Sequence, residues 1–188
     1  GTGDYERIGS TNTGTDNLML GISDPHYPAY RDVAVATKAS DLTNCKNTTK
    51  DTTGAKCPQT PKDVGWYITL DDFQKVTAEP TVSSGLVYFP IYKPSSSVNK
   101  CSLGDAFICG VDDECGTNVS NKLGSFRNKK DSCMYVGQGV LSRIVVYANK
   151  LFANIAGQST NAQKKDLVVL DAAAGGTSSY RSSWRQNY

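Results

Sequence analysis

The chain has 188 residues, a formal net charge of +2 and 20% charged residues. That length can bury one respectable core. So small a charge gives no electrostatic case for nucleic acid or an acidic membrane surface as partner, and no apolar run approaches the roughly 18 residues that span a bilayer. Abundant Gly, Ser, Thr and Asn with modest apolar content favour a loop-rich, all-β protein over a helical bundle. The chain opens at Gly1 rather than Met, without a signal-peptide pattern, as a processed, excised or engineered chain would.

In chain order, GTGDY (Gly1–Tyr5) and the polar residues after it read as a strand end and loop, lacking the further glycines and helix of a phosphate cradle. DNLMLGISD (Asp16–Asp24) reads as a strand. Pro25, Pro28, Tyr27 and Tyr30 then fix a turn that carries the single histidine, His26, as a surface residue. Arg31–Leu42 reads as a strand or one helical turn, with VAVAT favouring the strand, and Leu42–Lys62 is a polar loop. GWYITL (Gly65–Leu70) is a strand with Trp66 and Ile68 on one face and Tyr67 and Thr69 on the other.

The richest stretch is Val76–Asp113. It predicts strands at Val76–Val82, Leu86–Tyr92 and Ala106–Val111, joined by a Ser83-Ser84-Gly85 turn and a looser Pro94–Leu103 connection. Asp112–Ser132 is a polar insertion, and strand structure resumes at Met134–Val136. Strands at Leu141–Tyr147 and Leu151–Ala156 flank a tight Ala148-Asn149-Lys150 turn. Asp166–Asp171 is a strand, and Tyr180–Gln186 is a candidate closing strand anchored by Trp184.

The six cysteines, Cys45, Cys57, Cys101, Cys109, Cys115 and Cys133, form no C-x-x-C pair, and one histidine is too few for the usual zinc spacing. Three structural disulfides of an exported protein are expected. The pairing expected is Cys45–Cys57 across a segment too polar to fold by burial, with Cys109–Cys115 and Cys101–Cys133 pinning the second insertion. Asp112, Asp113 and Glu114 offer hard oxygen ligands for Ca²⁺, although three consecutive acids point in different directions and lack the D-x-[DN]-x-[DN]-G alternation. Calcium on these three residues is the one cofactor the sequence suggests.

An internal repeat organises these elements. VSSGLVYFPI (Val82–Ile91) aligns without gaps on VYANKLFANI (Val146–Ile155), GDAFIC (Gly104–Cys109) aligns on KDLVVL (Lys165–Leu170), and DNLML (Asp16–Leu20) resembles the same third-strand position. The period is about 60 residues, and hairpin-linked short strands at such a period suggest propeller blades. The expected fold is therefore one all-β domain over residues 1–188, made of antiparallel blades of a partial, quinoprotein-like propeller with disulfide-pinned loop insertions. Its back half-blade would be 1–30, its second blade 31–132 and its third 133–188. A closed propeller needs at least about four blades, so the Val76–Asp113 unit is expected to lack cover for one face within this chain.

The order of motifs resembles the C-terminal propeller of the PilY family, tip-associated adhesin and assembly proteins of bacterial type IV pili. The residues that carry the resemblance are GTGDY (Gly1–Tyr5), DNLMLGISDP (Asp16–Pro25), GWYITL (Gly65–Leu70), KVTAEPTVSSGLVYFPIYKP (Lys75–Pro94) with Cys101 after it, and SSWRQ (Ser182–Gln186). It implies an exported, cell-surface, pilus-associated protein that is not an enzyme. It would act in pilus assembly, in the balance of extension and retraction, and in attachment. Its partners would be pilin or minor pilin subunits, or the rest of its own propeller. Some members carry a calcium loop of the D-x-[DN]-x-D type, which this chain does not contain.

Two other readings compete. A quinoprotein dehydrogenase would need a cofactor site with carboxylates and stacking groups. Here Trp66 and Trp184 read as structural anchors, and Asp71, Asp72, Asp105, Asp166 and Asp171 read as turn residues at strand ends. Ser142, near Gly137-Gln138-Gly139, is not in a G-x-S-x-G nucleophile elbow. A glycan- or host-binding adhesin outside the pilus system would use the plentiful tyrosines.

Overall fold

The structure, a computed structural model, describes residues 1–3, 6–11, 16–22, 41–45, 65–70, 73–96, 102–114, 116, 132–157 and 167–172. Strands β1 (Leu18–Ile22), β2 (Thr43–Asn44) and β3 (Gly65–Thr69) make a first sheet, in which β3 lies between an antiparallel β1 and a parallel β2. The second sheet contains β4 (Lys75–Val76), β5 (Thr81–Ser83), β6 (Leu86–Lys93), β7 (Asp105–Asp112) and β8 (Cys133–Gln138). Strands β4 and β5 share one edge of β6, and β7 and β8 follow on the other side. The third sheet repeats this plan, with β9 (Val140–Leu141) and β10 (Val145–Tyr147) on one edge of β11 (Lys150–Ala156) and β12 (Leu167–Asp171) on the other. The fold is all-β, and no α-helix occurs among the described residues.

Local chemistry explains where the strands depart from their expected bounds. The Val76–Val82 strand is split into β4 and β5, and its register against β6 changes across the break. Pro80 within the break has no amide hydrogen to give a ladder. The Leu141–Tyr147 strand is split in the same way, into β9 and β10. Strand β2 lies inside the stretch read as a polar loop, and β8 is longer than Met134–Val136, with a bulge opposite Ala106 and Phe107. The sheets also divide differently from the residue blocks 31–132 and 133–188, since β3 pairs with β1 and β8 pairs with β7. The VAVAT and Tyr180–Gln186 strands lie outside the described residues.

The two aligned hairpins are built alike. Ser83 pairs with Leu86 around Ser84-Gly85, and Tyr147 pairs with Lys150 around Ala148-Asn149. All four central residues have positive φ, from 47° to 76°, the pattern of a type I′ turn, whose twist suits paired strands. The third strands match at a shifted position. Leu86 pairs with Asp112 as Lys150 pairs with Asp171, so Leu170 is the counterpart of Val111 rather than of Cys109. The shift preserves the face on which each side chain lies.

Packing between sheets follows the period-2 alternation of strands. Val87, Phe89 and Ile91 of β6, with Cys109 and Val111 of β7, pack on Met19 and Trp66 of the first sheet. Leu86 and Tyr88, with Ala106 and Ile108, pack on Leu141, Ile144, Leu151 and Ala153 of the third. Hydrogen bonds from Thr77 Oγ1 to the Leu141 carbonyl (3.4 Å) and from Thr81 Oγ1 to the Ile144 carbonyl (2.5 Å) cross the second of these interfaces. The Val76–Asp113 unit therefore buries both faces within the chain, contrary to expectation, because a sheet lies on either side of it. Ala148 supplies a direct check on the repeated hairpin. Ala148→Val puts a β-branched residue at φ 47° and is expected to lower stability by about 1–3 kcal/mol in thermal unfolding. Ala148→Asn, which tolerates this backbone, is expected to leave it equal or higher.

Candidate functional site

The acidic turn after β7 is the first candidate. Asp112 is buried, and its Oδ1 accepts a hydrogen bond from the Glu114 amide at 3.2 Å. Its carbonyl accepts one from the Gly116 amide at 2.8 Å, and the Asp113 amide donates to the Gly85 carbonyl at 3.1 Å. This is an Asx-type turn, in which the carboxylate stands in for a backbone acceptor. Glu114 is exposed and Asp113 half-buried. Asp112 Oδ1 is thus engaged by the backbone of its own turn. Among the described residues no three His, Cys, Asp or Glu side chains converge as metal ligands.

The turn is held from outside by Trp66. The indole Nε1 donates to the Asp113 carbonyl at 3.0 Å, which meets the need of a buried tryptophan for an acceptor. Two glycines make room for the ring. A Cβ on Gly21 would lie 2.3 Å from Trp66 Cε2, and one on Gly116, at φ +63°, would lie 2.4 Å from Trp66 Cδ2. Trp66 is thus a structural anchor joining the first sheet to the β7 turn, and Trp184 lies outside the described residues. Asp112→Ala is expected to cost about 1–3 kcal/mol in chemical denaturation by leaving the Glu114 amide unpaired. Asp112→Asn, which keeps an acceptor, is expected to cost less.

The cysteines pair differently from expectation. Cys109 is bonded to Cys133, 24 residues later in sequence, which replaces both Cys109–Cys115 and Cys101–Cys133. The reason is register. Cys109 and Cys133 lie directly opposite on β7 and β8, and the Gly110 amide donates to the Ser132 carbonyl beside them. Such a cross-strand pair brings two Cβ atoms close without any loop. Cys45 is buried against the first sheet, its amide bonded to the Tyr67 carbonyl. Cys57, Cys101 and Cys115 lie outside the described residues. Non-reducing peptide mapping is expected to recover the peptide containing Cys109 linked to that containing Cys133. Cys101 linked to Cys133 would contradict this register.

The other singled-out residues have local roles. Ser142 Oγ accepts from the Asn154 amide and donates to the Arg143 carbonyl, both at 3.0 Å, so the hydroxyl bridges the β9–β10 break. Asp171 forms an ion pair with Lys150, its neighbour across β11 and β12. Asp105 lies opposite Lys93 at the end of β6 and β7. His26, Asp71, Asp72 and Asp166 lie outside the described residues.

One surface was not singled out from the sequence. Val145, Tyr147, Leu167 and Val169 are exposed, and Phe152 is half-exposed. Val145, Phe152 and Val169 form one cross-strand row on the outer face of the third sheet. The signal was present in IVVY and LVVL, which are apolar at both parities. A strand with one wet face alternates, and a strand covered on both faces does not. Compared with known protein families, curated proteins and solved structures, the chain matches none.

Proposed function

We propose that this chain is part of a β-propeller of the PilY type and serves as a non-catalytic cell-surface module of a type IV pilus. In this reading it acts in pilus assembly, in the balance between extension and retraction, and in attachment. Its partners are pilin or minor pilin subunits together with the rest of its own propeller. The observation that carries the reading is the repeat. Two sheets share a broken first strand, a type I′ hairpin in the same register and a third strand ending in a paired aspartate. They stack face to face on a core drawn from both, as neighbouring blades do. The motif order from GTGDY through GWYITL to SSWRQ adds the family, and the Cys109–Cys133 bridge is compatible with an oxidising location.

The test is a pull-down from the bacterial surface with the chain tagged in its host. Pilin or minor pilin subunits are expected in the eluate, and surface glycans without pilins would favour the unrelated-adhesin reading. Recovery of the protein only from cytosol with all thiols free would overturn the proposal.

A further inference from the structure

The third sheet has one covered and one bare face, and the repeat tells what the bare face is. Matching hairpins equate the row Val145–Phe152–Val169 with the row Thr81–Tyr88–Gly110 of the second sheet. They also equate Leu167 with Ile108 and Lys150 with Leu86. Leu86, Tyr88 and Ile108 are the residues that the second sheet buries against the third. The bare face of the third sheet is thus the same face, one repeat later. Its counterpart of Thr81, whose hydroxyl bonds across the covered interface, is Val145, while Lys150 in place of Leu86 pairs with Asp171 along the hairpin end of the bare face.

The other end of the stack agrees. In the first sheet Met19 and Trp66 point to the second sheet, which leaves Leu18, Leu20, Ile22 and Tyr67 on the outer face. Leu18 and Leu20 correspond to Val168 and Leu170, residues that the third sheet packs inward. The stack is head-to-tail, and its two ends present complementary faces.

The geometry points to the outer face of the third sheet, centred on Val145, Tyr147, Phe152, Leu167 and Val169, as the docking face for a further antiparallel sheet of the same repeat, carried by the same polypeptide. The occupant presents small and branched aliphatic side chains, as Leu151, Ala153, Val168 and Leu170 do toward the second sheet. A sheet of the same polypeptide is favoured over a second copy because both existing interfaces join sheets of one chain, and tethering raises the effective concentration of such a contact. This inference rests on the propeller reading.

The polypeptide as its host makes it is oxidised briefly with hydroxyl radicals, and the modification of each tyrosine is read by mass spectrometry. In the described structure Tyr147 is 73% exposed and Tyr135 is 53% exposed, so an uncovered third sheet oxidises Tyr147 at least as fast as Tyr135. Docking is expected to reverse the order, with Tyr147 oxidising more slowly than Tyr135, since its counterpart Ser83 is half-buried in the covered interface. Tyr147 oxidising as fast as Tyr135, or faster, overturns the proposal. So does protection that disappears on dilution while light scattering shows an assembly falling to monomers, an assembly that V169E prevents; the occupant is then a second copy. Pilin recovery bears on the pilus role alone, so exposed Tyr147 with pilins recovered removes the docking face and leaves that role standing.

Discussion

The structure depends on one constraint: strands β6 and β7 are apolar on both faces. A two-faced apolar sheet is stable in water only with another layer on each side, since each exposed Val, Ile or Phe side chain forgoes about 1.5–3 kcal/mol. The first and third sheets supply those layers. Odd-numbered residues of β6 face the first sheet and even-numbered ones the third. A slip of one residue would exchange the two sets. The type I′ turn at Ser84-Gly85 fixes the pairing of β5 with β6 and so holds that alternation in place.

The polar contacts refine this layering. The breaks between β4 and β5 and between β9 and β10 fall at matching places. The second break leaves the Ile144 carbonyl to accept the Thr81 hydroxyl from the neighbouring sheet. Arg143 and Glu79, both exposed, pair at the rim of the same interface, where an ion pair contributes little. An interruption in one sheet thus becomes a hydrogen bond to the next, and unpaired backbone groups in the break find partners.

Much of this was legible in the sequence. The class, the two hairpins and their alignment followed from β-branched runs and from Ser-Gly and Ala-Asn turns, which are local signals. The bounds of β4 and β5 were less legible, because Pro80 interrupts a stretch that otherwise reads as continuous strand. The cysteine pairing was not legible, because Cys109 and Cys133 meet through strand register, while spacing along the chain drew attention to Cys115. The acidic run at Asp112–Glu114 looked like hard-ion chemistry, and only backbone geometry assigns its first carboxylate to a turn. The burial of both faces of Val76–Asp113 also required knowing that sheets lie on either side.

The Cys109–Cys133 bond has a mechanical meaning. It ties neighbouring strands of one sheet rather than one sheet to another. Tension applied along the backbone passes through the sulfur bridge and bypasses everything between the two cysteines. With a sequence separation of 24 between the cysteines, the fully stretched chain is shorter by roughly 80 Å. The span between the cysteines, including its insertion, hangs as a loop that bears none of the load, while β7 and β8 remain fastened together.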